Sequence, residues 1–206
     1  GIEKNISIAM DLDGSTGFKY IRDIRSLDDF NGVWNLRIND LGDEFMISSN
    51  QMGPFPEGLQ VGLVNINERK VLLNFLDHKE VIPNNKNSVY DLKVIAGDQE
   101  YVKSMSQEIL SSIPEEFSLG QNYPNPFNPI TQMEYSLPQS SKVVISIYNV
   151  LGQEIKTLVN KEQDYGYHYV SWDGTDRLGK SVASGVYFTQ MRSDGFSQSK
   201  KMLLLK

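Results

Sequence analysis

The sequence predicts an all-β protein made of two β-sandwich, immunoglobulin-like domains in tandem. Three observations lead there. Apolar residues recur with a period of two rather than 3.6. Turn residues punctuate the chain at short intervals. Composition and charge change partway along it. With 206 residues, 39% of them hydrophobic and 22% charged, the chain is long enough to bury two small cores.

In residues 33–38, Trp34, Leu36 and Ile38 fall on one face, with Asn35 and Arg37 on the other. In residues 89–94 the inward set is Tyr90, Leu92 and Val94. This alternation marks half-buried antiparallel strands. Residues 59–66 and 71–76 are more continuously apolar and read as central strands, joined by the polar hairpin Asn67-Glu68-Arg69-Lys70. Asp13-Gly14, Gly42-Asp43, Pro54-Phe55-Pro56, Pro83-Asn84-Asn85 and Gly97-Asp98 supply turns. Helix signals are weak: residues 104–112 form the better candidate and 21–30 the poorer one. The boundary falls in a serine-rich stretch ending Ile113-Pro114-Glu115-Glu116, read as a linker over 104–116 between domains 1–103 and 117–206. Charge divides there too: residues 1–116 hold 11 basic and 19 acidic groups, residues 117–206 hold 9 and 7.

Past the boundary, Pro124, Pro126 and Pro129 fix φ and hold their predecessors extended. The segment reads as an ordered strap. Tyr123 and Phe127 would anchor it in the core, and Asn125 and Asn128 would bond to nearby backbone. Strands follow over 130–137, 142–150, 154–159, 167–172, 186–191 and 196–205. In the second of these, Val143, Ile145 and Ile147 face one way and Ser146 and Tyr148 the other. Leu151-Gly152-Gln153 and Asp194-Gly195 make turns, and Trp172 to Lys180 forms a long polar loop. Six or seven strands in about ninety residues suit an immunoglobulin-like sandwich.

Composition excludes several functions. Cysteine is absent, so there are no disulfides, thiolate metal sites or cysteine nucleophiles. The two histidines, His78 and His168, leave little for imidazole chemistry. A net charge of −6 argues against a nucleic-acid binder with a global basic field. No nucleophile elbow, phosphate loop, zincin motif or dinucleotide glycine pattern is present. Adjacent acids such as Asp28 and Asp29, Asp43 and Glu44, or Glu115 and Glu116 point to opposite faces of a strand and do not make a facing acid–base pair. The chain therefore reads as non-enzymatic.

Five blocks of the second half carry a resemblance. They are Gln121-Asn122-Tyr123-Pro124-Asn125-Pro126-Phe127-Asn128-Pro129, then Ile147 to Glu154 around Gly152, then Trp172-Asp173-Gly174-Thr175-Asp176, then Ser184-Gly185-Val186-Tyr187-Phe188, and a closing Lys200-Lys201-Met202-Leu203-Leu204-Leu205-Lys206. In that order they resemble the type A C-terminal sorting domain of type IX (Por) secretion substrates, found in Bacteroidetes and related phyla. They are also similar to the Ig-like domain of flagellar hook-cap proteins. The resemblance covers about 90 of the 206 residues. It implies an address for export across the outer membrane, with the segment 199–206 read by the type IX translocon. It further implies removal of the domain by a surface sortase-like protease and joining of the cargo to lipopolysaccharide. The expected location is secreted, or the cell surface of a Gram-negative bacterium. The residues it marks are Pro124, Asn125, Pro126, Phe127, Asn128, Pro129, Gly152, Trp172, Asp173, Gly174, Gly185, Tyr187, Lys201 and Lys206. From the residues alone, 200–206 is either a strand offered to a partner's sheet edge or an edge strand whose lysines block aggregation.

Residues 1–103 more faintly resemble the β domains that precede such sorting domains, through 55–61 and the strands after them. The sequence begins without Met or a signal segment and reads as the later part of an exported protein. Asp11-Leu12-Asp13-Gly14 places oxygen ligands at alternate positions, as calcium loops do. The EF-hand register fails, because Arg22 falls where a bidentate Glu is needed. A sandwich-type calcium site on Asp11 and Asp13, with Asp23, Asp28 or Asp29, stands beside a plain Asp-Gly turn. Asp173 and Asp176 carry the same choice, or cap their own loop. Tyr167 and Tyr169 share a strand face and would either stack on a glycan or pack across strands. Two other roles compete with export: a carbohydrate- or partner-binding module, and a self-assembling subunit of a surface layer or filament.

Overall fold

The computed structural model describes residues 6–10, 19–23, 31–38, 44–48, 57–75, 79–83 and 90–206. Side chains are described for 31–37, 57–75 and 90–206. The chain divides into two compact units, Gly1–Ser111 and Ser112–Lys206.

The first unit runs β1 (Ile6–Met10), β2 (Lys19–Asp23), β3 (Gly32–Ile38), β4 (Glu44–Ser48), β5 (Gln60–Asn65), β6 (Lys70–Leu72), β7 (Lys79–Pro83), β8 (Tyr90–Gly97) and the helix α1 (Gln99–Ser112). All pairings are antiparallel: β1 with β2, β4 with β7, and a four-stranded sheet in the order β3-β8-β5-β6. Trp34 and Leu36 are buried while Asn35 and Arg37 are exposed, as the alternation predicts. β8 departs from it. As an inner strand it is buried on both faces, and Asp91 is held there by Arg37 at 2.7 Å. Of the segment 71–76, expected as a central strand, 71–72 fall in the short edge strand β6, 73–75 lie outside any strand, and 76 lies outside the described residues. The β5–β6 hairpin closes with Arg69 N–H donating to Ile66 O at 3.2 Å.

Helix α1 replaces much of the expected linker. It begins at Asp98, whose carboxylate accepts the Tyr101 N–H at 2.8 Å, an N-cap in what reads from sequence as a turn. Val102, Ser106 and Ile109 are buried at helical spacing. Val102 lies over Gly62 of β5, where any Cβ would stand 2.8 Å from the valine methyl. The helix thus belongs to the first unit, which it shares with its sheets. The weaker helix candidate, 21–30, begins inside strand β2; residues 24–30 lie outside the described residues.

The second unit is a two-sheet sandwich. It contains β9 (Ser118–Leu119), β10 (Thr131–Leu137), β11 (Ser141–Asn149), β12 (Glu154–Gln163), β13 (Gly166–Trp172), β14 (Gly185–Ser193) and β15 (Phe196–Leu204). One sheet is β13-β10-β9 and the other β12-β11-β14-β15, all antiparallel. Inward residues alternate along β10 (Met133, Tyr135, Leu137), β11 (Val143, Ile145, Ile147) and β15 (Met202, Leu204), closing a core around Phe127 and Trp172. The β11–β12 hairpin turns on Asn149, whose side-chain oxygen accepts the N–H groups of Leu151 and Gln153 at 2.9 and 3.0 Å. Gly152 sits in that turn and donates its N–H to Asn149 O at 3.0 Å. The chain is an all-β sandwich protein, with one helix among the described residues. No helix among the described residues is long and apolar enough to cross a membrane.

Candidate functional site

Most of the motif residues meet at one end of the second sandwich, around the last residues of β15. The strap 121–129 runs beside that strand. Phe127 donates its N–H to Leu203 O at 2.9 Å and accepts the Leu205 N–H at 2.9 Å, a parallel bridge centred on Leu204. Its ring is 1% exposed and lies 5.5 Å from the Trp172 ring, which meets Tyr187 edge-on at 5.1 Å. Such an aromatic trio contributes offset and edge contacts beyond its buried area.

Asn125 behaves differently from the expectation. Its amide reaches the last strand rather than nearby backbone. Oδ1 accepts the Leu203 N–H at 3.0 Å, and Nδ2 donates to Lys201 O at 3.4 Å. Tyr123 also corrects the expectation, because its ring is 83% exposed. Only its backbone is engaged, in two bonds with Gln132 of 2.8 and 3.0 Å. The anchor at this end of the strap is Asn122, which is buried and donates Nδ2 to Pro124 O at 3.0 Å and to Thr131 Oγ1 at 2.9 Å. A polar anchor carries no apolar signal, which is why the pattern points to the tyrosine. Pro124, Pro126, Asn128 and Pro129 are exposed, and the Tyr123-Pro124 and Asn125-Pro126 bonds are cis.

The loop after β13 completes the end. Trp172 donates Nε1–H to Thr175 O at 2.9 Å. Gly174 has φ +68°, and a Cβ there would stand 3.2 Å from Pro129 O and 3.5 Å from Leu204. Asp173 accepts from Thr175 Oγ1 at 2.6 Å and from Lys156 Nζ at 3.2 Å. The threonine hydroxyl, with Lys156 behind it, holds the carboxyl below its ordinary range. Asp176 accepts the N–H groups of Leu178 and Lys180 at 2.8 and 2.9 Å. Both aspartates therefore serve their own loop. Gly185 opens β14, where Tyr187 donates its hydroxyl to Ala183 O at 2.8 Å. Lys206 donates its backbone N–H to Ser184 Oγ at 3.1 Å and its ammonium to Val182 O. The Lys201 side chain is exposed, on the residue paired with Phe188. Gly152 stands apart, lining a shallow groove of about 320 Å³ with Tyr148, Val150, Phe188 and Ser199.

Asp11, Asp13, Asp28, Asp29 and His78 lie outside the described residues, as does Phe55. Of Asp23, in β2, only the backbone is described. Among the described residues no group of three or more histidine or acidic side chains comes together to hold a metal. His168 is packed in the sandwich, stacked at 5.3 Å on Tyr135 with Nε2 2.7 Å from Asp164 O. Tyr167 and Tyr169 are 59% and 61% exposed, so cross-strand packing does not absorb them. The Tyr169 hydroxyl donates to Glu134 at 2.5 Å, and that bond and the charge behind it raise its pKa.

No curated protein matches the chain. Among solved structures, FlgD from P. aeruginosa is 26% identical, covering 36% of this chain and 59% of its own, with a TM-score of 0.29. The chain thus spans less than two thirds of that protein. PorZ, a surface component of the type-IX secretion system of Porphyromonas gingivalis, is 15% identical over 58% of this chain and 15% of its own, TM-score 0.32. Dimeric latent PorU from the same organism is 12% identical over 98% and 20%, TM-score 0.37. The family of FlgD Ig-like domains matches residues 130–195. That span runs from the end of the strap to the β14–β15 turn, so the second unit is an Ig-like module similar to the one carried by FlgD.

Proposed function

We propose that residues 112–206 are the C-terminal sorting domain of an exported protein, recognised by a type IX secretion translocon in a Gram-negative bacterium of Bacteroidetes type. The role is recognition, and the chain is non-enzymatic. A surface sortase-like protease then separates the domain from its cargo, which is attached to lipopolysaccharide at the cell surface. The observation that carries this reading is the convergence on β15. Blocks separated by up to eighty residues, around Phe127, Trp172, Gly174, Tyr187 and Lys206, all pack or bond at one end of that strand. Phe127, Trp172 and Tyr187 are buried there, so they support this reading as the frame that holds and presents the end of β15 rather than as a surface a partner touches.

The test is a fusion of residues 112–206 behind a reporter with a periplasmic signal, expressed in a type IX host. The reporter is expected on the surface or in the medium, and to stay in the periplasm when residues 199–206 are deleted or the translocon is absent. Export independent of the translocon overturns the reading.

A second reading, glycan binding, is favoured by Tyr123, Tyr167 and Tyr169. Antiparallel pairing of Tyr123 with Gln132 and of Tyr169 with Glu134 puts these rings on one outer sheet face, with polar side chains between them. Aromatic platforms with adjacent amides and carboxylates suit an extended polysaccharide. Retardation in polysaccharide-containing native gels, lost in Tyr167→Ala/Tyr169→Ala, is the expected result. Equal mobility with and without polysaccharide removes this reading.

A further inference from the structure

Strand β15 lies at the margin of its sheet, with β14 on one side. A marginal strand ordinarily presents alternate N–H and C=O groups to any extended chain that can pair with them. Here the outer side is already engaged by the protein's own strap. Lys201 O accepts Gln121 Nε2 at 2.8 Å and Asn125 Nδ2 at 3.4 Å. Leu203 N–H donates to Asn125 Oδ1 at 3.0 Å, and Leu203 O accepts Phe127 N–H at 2.9 Å. Leu205 N–H donates to Phe127 O at 2.9 Å. From Lys201 O to Leu205 N–H, these outward groups of the strand are matched by the strap. Further back, Gln198 Oε1 accepts Leu119 N–H at 2.7 Å.

The matching is divided between two kinds of residue. Phe127 is locked into the core against Trp172. Asn125 is exposed, and only its side-chain amide holds the strand. The amide mimics a peptide unit: its oxygen takes a backbone N–H and its nitrogen gives to a backbone carbonyl. Tertiary contact therefore places a strand mimic where a pairing partner would dock.

We infer that the strap 121–127 is an intramolecular cap on β15, with Asn125 as its latch, and that pairing of another chain with 201–205 requires the strap to lift. The occupant that would replace it is an extended peptide strand of the recognising machinery. The inference rests on the proposed reading of β15 as the recognised element only for this consequence; the latch itself belongs to the fold.

The experiment uses the full chain and the Asn125→Ala variant. Hydrogen exchange is followed by mass spectrometry in a peptide covering 199–206, with a peptide from β11 as the internal reference. Loss of the amide bonds is expected to speed exchange in 199–206 on the order of tenfold, with β11 unchanged. Because Asn125 is exposed, the variant is expected to keep its melting behaviour within a few degrees. Unchanged exchange at 199–206, or equal acceleration in β11, overturns the latch. In the type IX host, the variant fusion is expected to export faster than wild type, and slower export overturns the gating consequence. Accelerated exchange with identical export rates overturns the gating consequence. If neither fusion is exported, the sorting reading fails together with the gate, and the exchange result alone decides the latch.

Discussion

Thr189 and Ser193 point inward from β14 with buried hydroxyls that find no partner. Leaving a hydroxyl unpaired in a core costs free energy that a methyl of similar shape does not. Thr189→Val is expected to stabilise the second unit by about 1 kcal/mol, read from the urea midpoint. Gly174 works the other way. Its positive φ and the 3.2 Å approach of Pro129 O leave no comfortable place for a Cβ. Gly174→Ala is expected to cost roughly 1–2 kcal/mol and to loosen the strap at Pro129. Asp173 supplies a small acid dependence. Its folded pKa lies below its unfolded value, so its contribution is present above the ordinary carboxylate pKa and is lost as pH falls through the lowered one. The carboxylate is about half exposed, so the effect is about 0.5 kcal/mol or less. Unfolding free energies of wild type and Asp173→Asn should differ at pH 7 and converge only as pH falls through the lowered carboxyl range, below the ordinary carboxylate pKa.

At the scale of elements, the strap is ordered by one ring and three side-chain amides, those of Gln121, Asn122 and Asn125. Removing the ring should be far more damaging than removing an amide. Phe127→Ala empties a core position between Trp172 and Leu204, and the expected loss is about 3–5 kcal/mol with a matching fall in melting temperature. A small loss would show that the strap is held by its hydrogen bonds instead. Helix α1 illustrates a different balance. Its capping aspartate and three buried positions suffice because it lies on a sheet, and β5 keeps a glycine beneath it at position 62. The β11–β12 hairpin depends on local chemistry, since Asn149 satisfies the turn from within.

For the whole molecule, the division into two units and the self-contained core of the second make a strong expectation. Residues 112–206 expressed alone should fold, with Trp172 emission shifted to the blue and lost in one cooperative transition. A fragment that stays unfolded would mean that the two units share their stability. The acidic first part and the nearly balanced second should also separate on ion exchange once the chain is cut between them.

Period-two alternation in 33–38 and 142–150 reads directly, because a strand buried on one face writes its environment into every second residue. The hairpin after β5, the turn at 151–153 and the strand succession from 130 to 205 read for the same local reason, while the part Asn149 plays in that turn does not. Depth in the sheet does not. β8 is an inner strand because β3 and β5, both distant in sequence, pair with it, and β6 is marginal because only its hairpin neighbour β5 does. The helix stays faint in the pattern because so few of its residues are apolar inside. Within the candidate site, Phe127 was legible as an anchor. Asn125 was not, because what its amide bonds is set by the strand that arrives seventy-six or more residues later, and Tyr123 was not, because its pairing with Gln132 engages the backbone and leaves the ring outside. Local alternation and turn chemistry are written along the chain; which strand is innermost, and what closes the edge of the last one, is set by long-range pairing.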